Sequence, residues 1–167
     1  LKKNSLFSDQ KNVQQDSIKN FFKKIKKVKN SQISDDFFFI SRIESLILGK
    51  SVKDALERAE AYCKAGSDCI MIHSKDDNPK TIFHFAREFR KSKYFRPLVA
   101  VPSTYSKTKE SELFKNGFRI VIYANQLLRG SYNSMVDTAE KILKFQRAHE
   151  VEKNICSIKK ILRLIKD

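Results

Sequence analysis

Four short apolar runs, each leading into a stretch of helical period, constrain this 167-residue chain more than any other feature. They span residues 37–43, 69–73, 97–101 and 118–123. The first, FFFISRI, does not alternate apolar with polar residues, so it predicts a strand covered on both faces. Ser51 then opens a helix over residues 51–64, with Asp54 completing a capping box and Gly66 ending it. The second run, CIMIH, leads through Asn78 and Pro79 into a helix carrying Ile82, Phe83, Phe85, Ala86 and Phe89. The third is succeeded by the polar turn STYSKT and a short helix over 109–116, closed by Gly117. The fourth precedes a helix over 131–146. Before the first strand, Asp16 or Ser17 caps a helix whose Ile18, Phe21, Phe22, Ile25 and Val28 form one stripe. A last amphipathic helix is expected over 155–165.

Four consecutive βα units with short turns imply parallel strands and right-handed crossovers, hence an α/β architecture. Two forms fit: an open doubly wound sheet, or a piece of a (β/α)8 barrel. With only 4 glycines, neither GxGxxG nor a P-loop is available. The strand ends are polar instead: Arg42 and Glu44, then His73 with Ser74 and Lys75, then Ser103, Thr104 and Tyr105, then Asn125. Polar groups at the carboxyl ends of several strands are how barrel enzymes build their sites. A barrel takes about 250 residues and eight strands, so four strands amount to half of one.

Composition narrows the function classes. With 41% apolar residues the chain can bury a core, and its length suits about one domain. No apolar run approaches the roughly 20 residues of a membrane helix, and the opening LKKNSLFSDQ lacks the apolar centre of a signal peptide. The expectation is a cytoplasmic protein without a membrane partner. Cys63, Cys69 and Cys156 have neither CxxC spacing nor a histidine cluster beside them, which predicts reduced, mostly buried thiols. The formal charge of +15 is spread over lysines set among apolar residues at helical spacing. That is the pattern of solvated helix faces rather than of a nucleic-acid surface, and an anionic small molecule is the better-matched partner.

The individual motifs carry a resemblance. ISRIESLILG with ALERAEAYCKAGSDCIMIHSK, the opening KKNSL, the turn VPSTYSKT, the run VIYANQLLR and the ending VEKNICSIKKILRLIKD resemble the phosphoenolpyruvate mutase family of the isocitrate lyase superfamily. The resemblance implies the C-terminal half of a (β/α)8 barrel: a gating-loop remnant over 1–15, a half barrel over 16–150, and a C-terminal helix over 151–167 exchanged between subunits of a homo-oligomer. It implies interconversion of phosphoenolpyruvate and phosphonopyruvate with Mg²⁺, whose ligands belong to strands that lie outside this sequence. Arg42, His73 and Asn4 would then be donors to a migrating phosphoryl group. Ser5, Glu44 and Asn125 would bind substrate or support those donors.

Read without the family, each residue has a plainer explanation. Arg42 and Glu44, two apart on one strand, point the same way and can simply pair. His73 at the end of an apolar strand is more often a hydrogen-bonded core residue. Two positions depart from the family pattern: Gln126 where a histidine is frequent after the asparagine, and Ser103 where threonine is common. Phosphonopyruvate hydrolase is the nearest alternative, with Asn4 favouring the mutase, and a basic nucleic-acid-binding protein is the alternative of another class.

Overall fold

The computed structural model describes residues 14–164. Asn4 and Ser5 therefore lie outside the described residues, as does Ile165 of the last helix. The chain divides into two compact units, residues 1–123 and residues 124–167.

The first unit is a parallel α/β layer. Helix α1 (Ile18–Asn30) begins at Ser17, whose hydroxyl accepts the Asn20 N–H, and it buries Ile25 completely. Strand β1 (Ile40–Ile43) leads to α2 (Val52–Ala65), β2 (Cys69–Ile72) to α3 (Lys80–Phe89), and β3 (Leu98–Ala100) to α4 (Glu110–Lys115). Strand β4 (Phe118–Val121) completes a sheet ordered β1-β2-β3-β4, every pair parallel. The order never reverses, so these strands contain no switch point of the doubly wound kind. All four carboxyl ends, and the turns after them, fall on one edge of the sheet.

The core is apolar and continuous. Ile43, Ile70, Ile72, Leu98 and Ala100 of the strands pack with Ala55, Ala59, Tyr62, Ile82, Phe85 and Phe89 of the helices. Small residues at 55 and 59 let α2 approach the sheet closely. Gly66 terminates α2 in the left-handed region at φ +115°, where a side chain would be strained. Asp68 then ties the layer together, since Oδ2 accepts from the Phe39 N–H at 2.8 Å and from Lys29 Nζ at 3.0 Å.

Four expectations are corrected. The first strand starts at Ile40, not 37, and Phe37 and Phe38 are 56% and 52% exposed. Strand β2 begins with Cys69 opposite Ile40, so no paired neighbour faces the two upstream rings. Asp54 does not complete a capping box: Ser51 accepts the Asp54 N–H, but the Asp54 carboxylate engages Ser45, Gln15 and Arg58. In the second unit, α5 (Gln126–Phe145) starts well before residue 131, with Gly130 tolerated inside it. The last helix, α6 (Ile158–Leu162), starts at 158 rather than 155 because the Ser157 hydroxyl caps it at the Lys160 N–H, and it ends at Leu162. Ile158, Ile161 and Leu162 are exposed. Within this unit Met135, Thr138 and Ile142 of α5 share a groove with Ile155 and Cys156.

Candidate active site at the strand tips

The parallel register brings the first two polar strand ends together. Arg42 pairs with Met71 and Ile43 with Ile72, so the next residues out of the ladder are Glu44 and His73. Arg42 Nε donates to Glu44 Oε1. This is the pairing that two same-side residues of a strand predict. Glu44 is only a quarter exposed and its Oε2 has no hydrogen-bond partner among the described residues, which leaves a buried acceptor at the tip.

His73 is 3% exposed, and its Nδ1 lacks a hydrogen-bond partner among the described residues. Burial holds its imidazole below the usual histidine range; the positive charge of Arg42 acts in the same direction and the Glu44 carboxylate opposes it. The ring is neutral near pH 7, so one nitrogen donates and the other accepts. A core histidine would be expected to have its ring nitrogens satisfied. An unmatched, buried nitrogen beside an arginine and a glutamate instead suits a polar ligand.

The turns after β2 and β3 are joined to each other. The Thr104 hydroxyl donates to the Ser74 carbonyl at 3.0 Å, and the buried Ser74 hydroxyl accepts the Asp76 N–H. Tyr105 is fully buried, its phenol accepting the Val101 N–H at 3.2 Å, and burial pushes that phenol up to about 12. The residue that joins these turns is thus Thr104, while Ser103 makes a backbone bond to Val101. In the second unit Asn125 precedes α5, with its N–H donating to Gln126 Oε1 at 3.2 Å. Gln126 thereby organises the turn that leads into α5.

Sequence reasoning passed over Ser45 and Arg58 and read Asp54 only as part of a helix cap. Arg58 is 5% exposed and donates to Asp54 Oδ2, to the Asp16 carbonyl and to the Tyr62 phenol. The available signal was the spacing of Asp54 and Arg58, one turn apart on α2, with the arginine among apolar residues. No group of three or more His, Cys, Asp or Glu able to hold a metal occurs among the described residues.

A family model, described as phosphoenolpyruvate phosphomutase, matches residues 3–143. The chain belongs to the phosphoenolpyruvate phosphomutase family. It is 34% identical over 163 residues to the phosphoenolpyruvate phosphomutase of Tetrahymena pyriformis, covering 98% of this chain and 53% of that protein. The crystal structure of the phosphoenolpyruvate phosphomutase from Streptomyces platensis subsp. rosaceus superposes with a TM-score of 0.90 at 34% identity, over 98% of this chain and 55% of that one. A phosphonopyruvate hydrolase solved with oxalate and Mg²⁺ gives a TM-score of 0.85 at 29% identity, over 95% and 55% of the two chains. The chain thus spans about half the length of the phosphomutases it matches, and the family match runs from Lys3 past the fourth strand to residue 143.

Proposed function

We propose that the complete protein is a phosphoenolpyruvate mutase and that this chain is the C-terminal half of its (β/α)8 barrel. The reaction moves a phosphoryl group within one molecule: the bond from phosphorus to the enol oxygen breaks and a bond from phosphorus to the neighbouring carbon forms, with no net gain or loss of protons or water. Phosphorus in flight is metaphosphate-like, its charge spread over peripheral oxygens, so catalysis rests on positioning and electrostatic stabilisation.

The observation that carries this reading is the convergence of Arg42, Glu44 and a buried neutral His73 at the tips of adjacent strands in a chain of this family. Arg42 offers a planar fork suited to two phosphoryl oxygens, and Glu44 sets the plane of that fork. His73 adds a neutral donor, which neither repels the adjacent arginine nor needs a counter-ion. Asn4 is a further donor and Ser5 a substrate contact in this reading, and the family resemblance gives Asn125 a supporting role. The family's Mg²⁺ finds no cluster of ligands among the described residues, so no step here is routed through it; its ligands are assigned to the barrel's other half. A homo-oligomer assembled through the last helix accounts for the exposed Ile158, Ile161 and Leu162. No helix among the described residues is long and apolar enough to cross a membrane, and the reading places the enzyme in the cytoplasm.

Phosphorus NMR of the complete protein with Mg²⁺ and phosphonopyruvate tests the proposal. Phosphoenolpyruvate is the expected product; inorganic phosphate as the main product would assign the hydrolase reaction instead.

A further inference from the structure

Behind the strand tip lies a second polar cluster that the phosphoryl chemistry does not use. Its centre is the Asp54 carboxylate, whose Oδ2 accepts from Ser45 Oγ at 2.6 Å, from Arg58 Nε at 3.1 Å and from Gln15 Nε2 at 3.2 Å. Gln15 Nε2 also lies 3.2 Å from Ser45 Oγ, so the serine hydroxyl accepts as well as donates. Arg58 Nη1 reaches the Asp16 carbonyl at 2.8 Å and the Tyr62 phenol at 3.1 Å. Ser45 is fully buried. Burial alone would push the Asp54 carboxyl up, yet the bonds from Ser45 and Arg58 hold it below its usual range, so the carboxylate is ionised and its bonds are charge-assisted.

Ser45 is the residue immediately after Glu44. From it the chain makes a tight turn, with Leu48 N–H to Glu44 O at 3.0 Å and Lys50 N–H to Ser45 O at 2.8 Å, before Ser51 caps α2. The turn is therefore clamped at its first residue by a side chain of α2, and the residue just before the clamp carries the carboxylate that orients Arg42. We propose that Arg58 is a positioning residue for the strand tip: through Asp54 and Ser45 it fixes the turn after β1 and thereby the Arg42–Glu44 pair.

A purely structural clip is the competing explanation, and energetics argue against it being sufficient. The Arg58–Asp54 pair, its arginine buried and its carboxylate about a quarter exposed, contributes little to net stability, since desolvation of the arginine consumes much of the Coulombic gain. What such a network supplies that an apolar contact does not is direction: Asp54 accepts only along defined axes, and Ser45 can rotate to satisfy just those. A site that must hold a guanidinium plane against a phosphoryl group requires that kind of fixity, because a misplacement of about 1 Å can cost on the order of a hundredfold in rate.

The clamp is independent of the reaction assigned to the protein, and only its catalytic consequence rests on the reading of Arg42 as a phosphoryl ligand. Ser45→Ala and Arg58→Met in the complete protein, with Asp54→Asn as the substitute should Arg58→Met not fold, are monitored by NMR of the Arg42 Nε–H group. Both variants are expected to keep dispersed spectra while the exchange of the Arg42 Nε proton with water accelerates about tenfold, the factor given by weakening its charge-assisted bond to Glu44 by roughly 1.4 kcal/mol. An unchanged Arg42 signal in both variants overturns the proposal and leaves the network as a clip between helix and turn. In the complete enzyme the same variants are expected to lower kcat about tenfold with little change in KM. Loss of rate only in proportion to loss of folded protein also overturns it. If the unaltered enzyme releases phosphate instead of phosphoenolpyruvate, the mutase reading fails, while the Arg42 proton still reports on the network.

Discussion

Arg42 and Glu44, two residues apart where β1 leaves the sheet, are joined through Nε rather than through the end of the guanidinium. A bond to Nε sets the rotation of the whole plane, which a lysine cannot reproduce. Arg42→Lys in the complete enzyme is therefore expected to lower kcat by about a hundredfold, the range found when one preorganised donor to a developing anion is lost. Near-normal turnover of the lysine variant would show that a point charge suffices there.

The environment of His73 gives a pH signature. Because the folded protein holds this ring below its ordinary value near 6.5, the unfolded chain binds the extra proton first as the pH falls. The stability contributed is complete above the unfolded value and is lost progressively as pH drops through it toward the folded one. Urea midpoints across pH 7.5 to 5 should fall for the wild type and flatten for His73→Gln. Proton NMR adds a sign test: Glu44→Gln should lower the His73 titration further, and Arg42→Met should raise it.

Tyr105 supports the turn after β3 by accepting the Val101 N–H inside the core. Tyr105→Phe keeps the ring and strands that N–H without a partner, a loss of about 1–3 kcal/mol for a buried group. The urea midpoint reads it, with an unchanged m-value indicating that the effect lies in the folded state.

The thiols differ sharply. Burial pushes Cys63 up to about 12 and Cys69 up to about 11, and both side chains are enclosed, whereas Cys156 is exposed. Iodoacetamide at pH 8 should label Cys156 alone in the native protein and all three residues in denaturant. Rapid native labelling of Cys69 would mean that the sheet opens readily around β2, and of Cys63 that α2 lifts away from the core.

Gly66 ends α2 at φ +115°, and a Cβ there would sit 2.9 Å from Lys29 Cγ. That lysine has little room to yield, as its Nζ is tied to Asp68. Gly66→Ala is expected to cost at least about 1 kcal/mol, read from thermal unfolding.

The fold was legible where local and tertiary preferences agree. Apolar runs bounded by Ser51, Gly66, Pro79 and Gly117 yielded all four strands and the three helices between them, because caps and glycines act locally. Phe37 and Phe38 misled for the opposite reason: their burial depends on a neighbouring strand, which composition cannot supply. The start of α5 was missed too: Gly130 lies inside the helix, its low propensity overridden. At the site, Arg42, Glu44 and His73 could be placed from the ends of the runs alone. The Ser45, Asp54 and Arg58 cluster could not, since Asp54 also fits a capping box and nothing local says that its carboxylate turns the other way.

Strand β1 has a sheet partner on one side only among the described strands, and two exposed phenylalanines lead into it. Such an edge invites unrelated strands to add to it during synthesis. In the barrel proposed above, that edge is the seam to which the preceding strand of the other half would add.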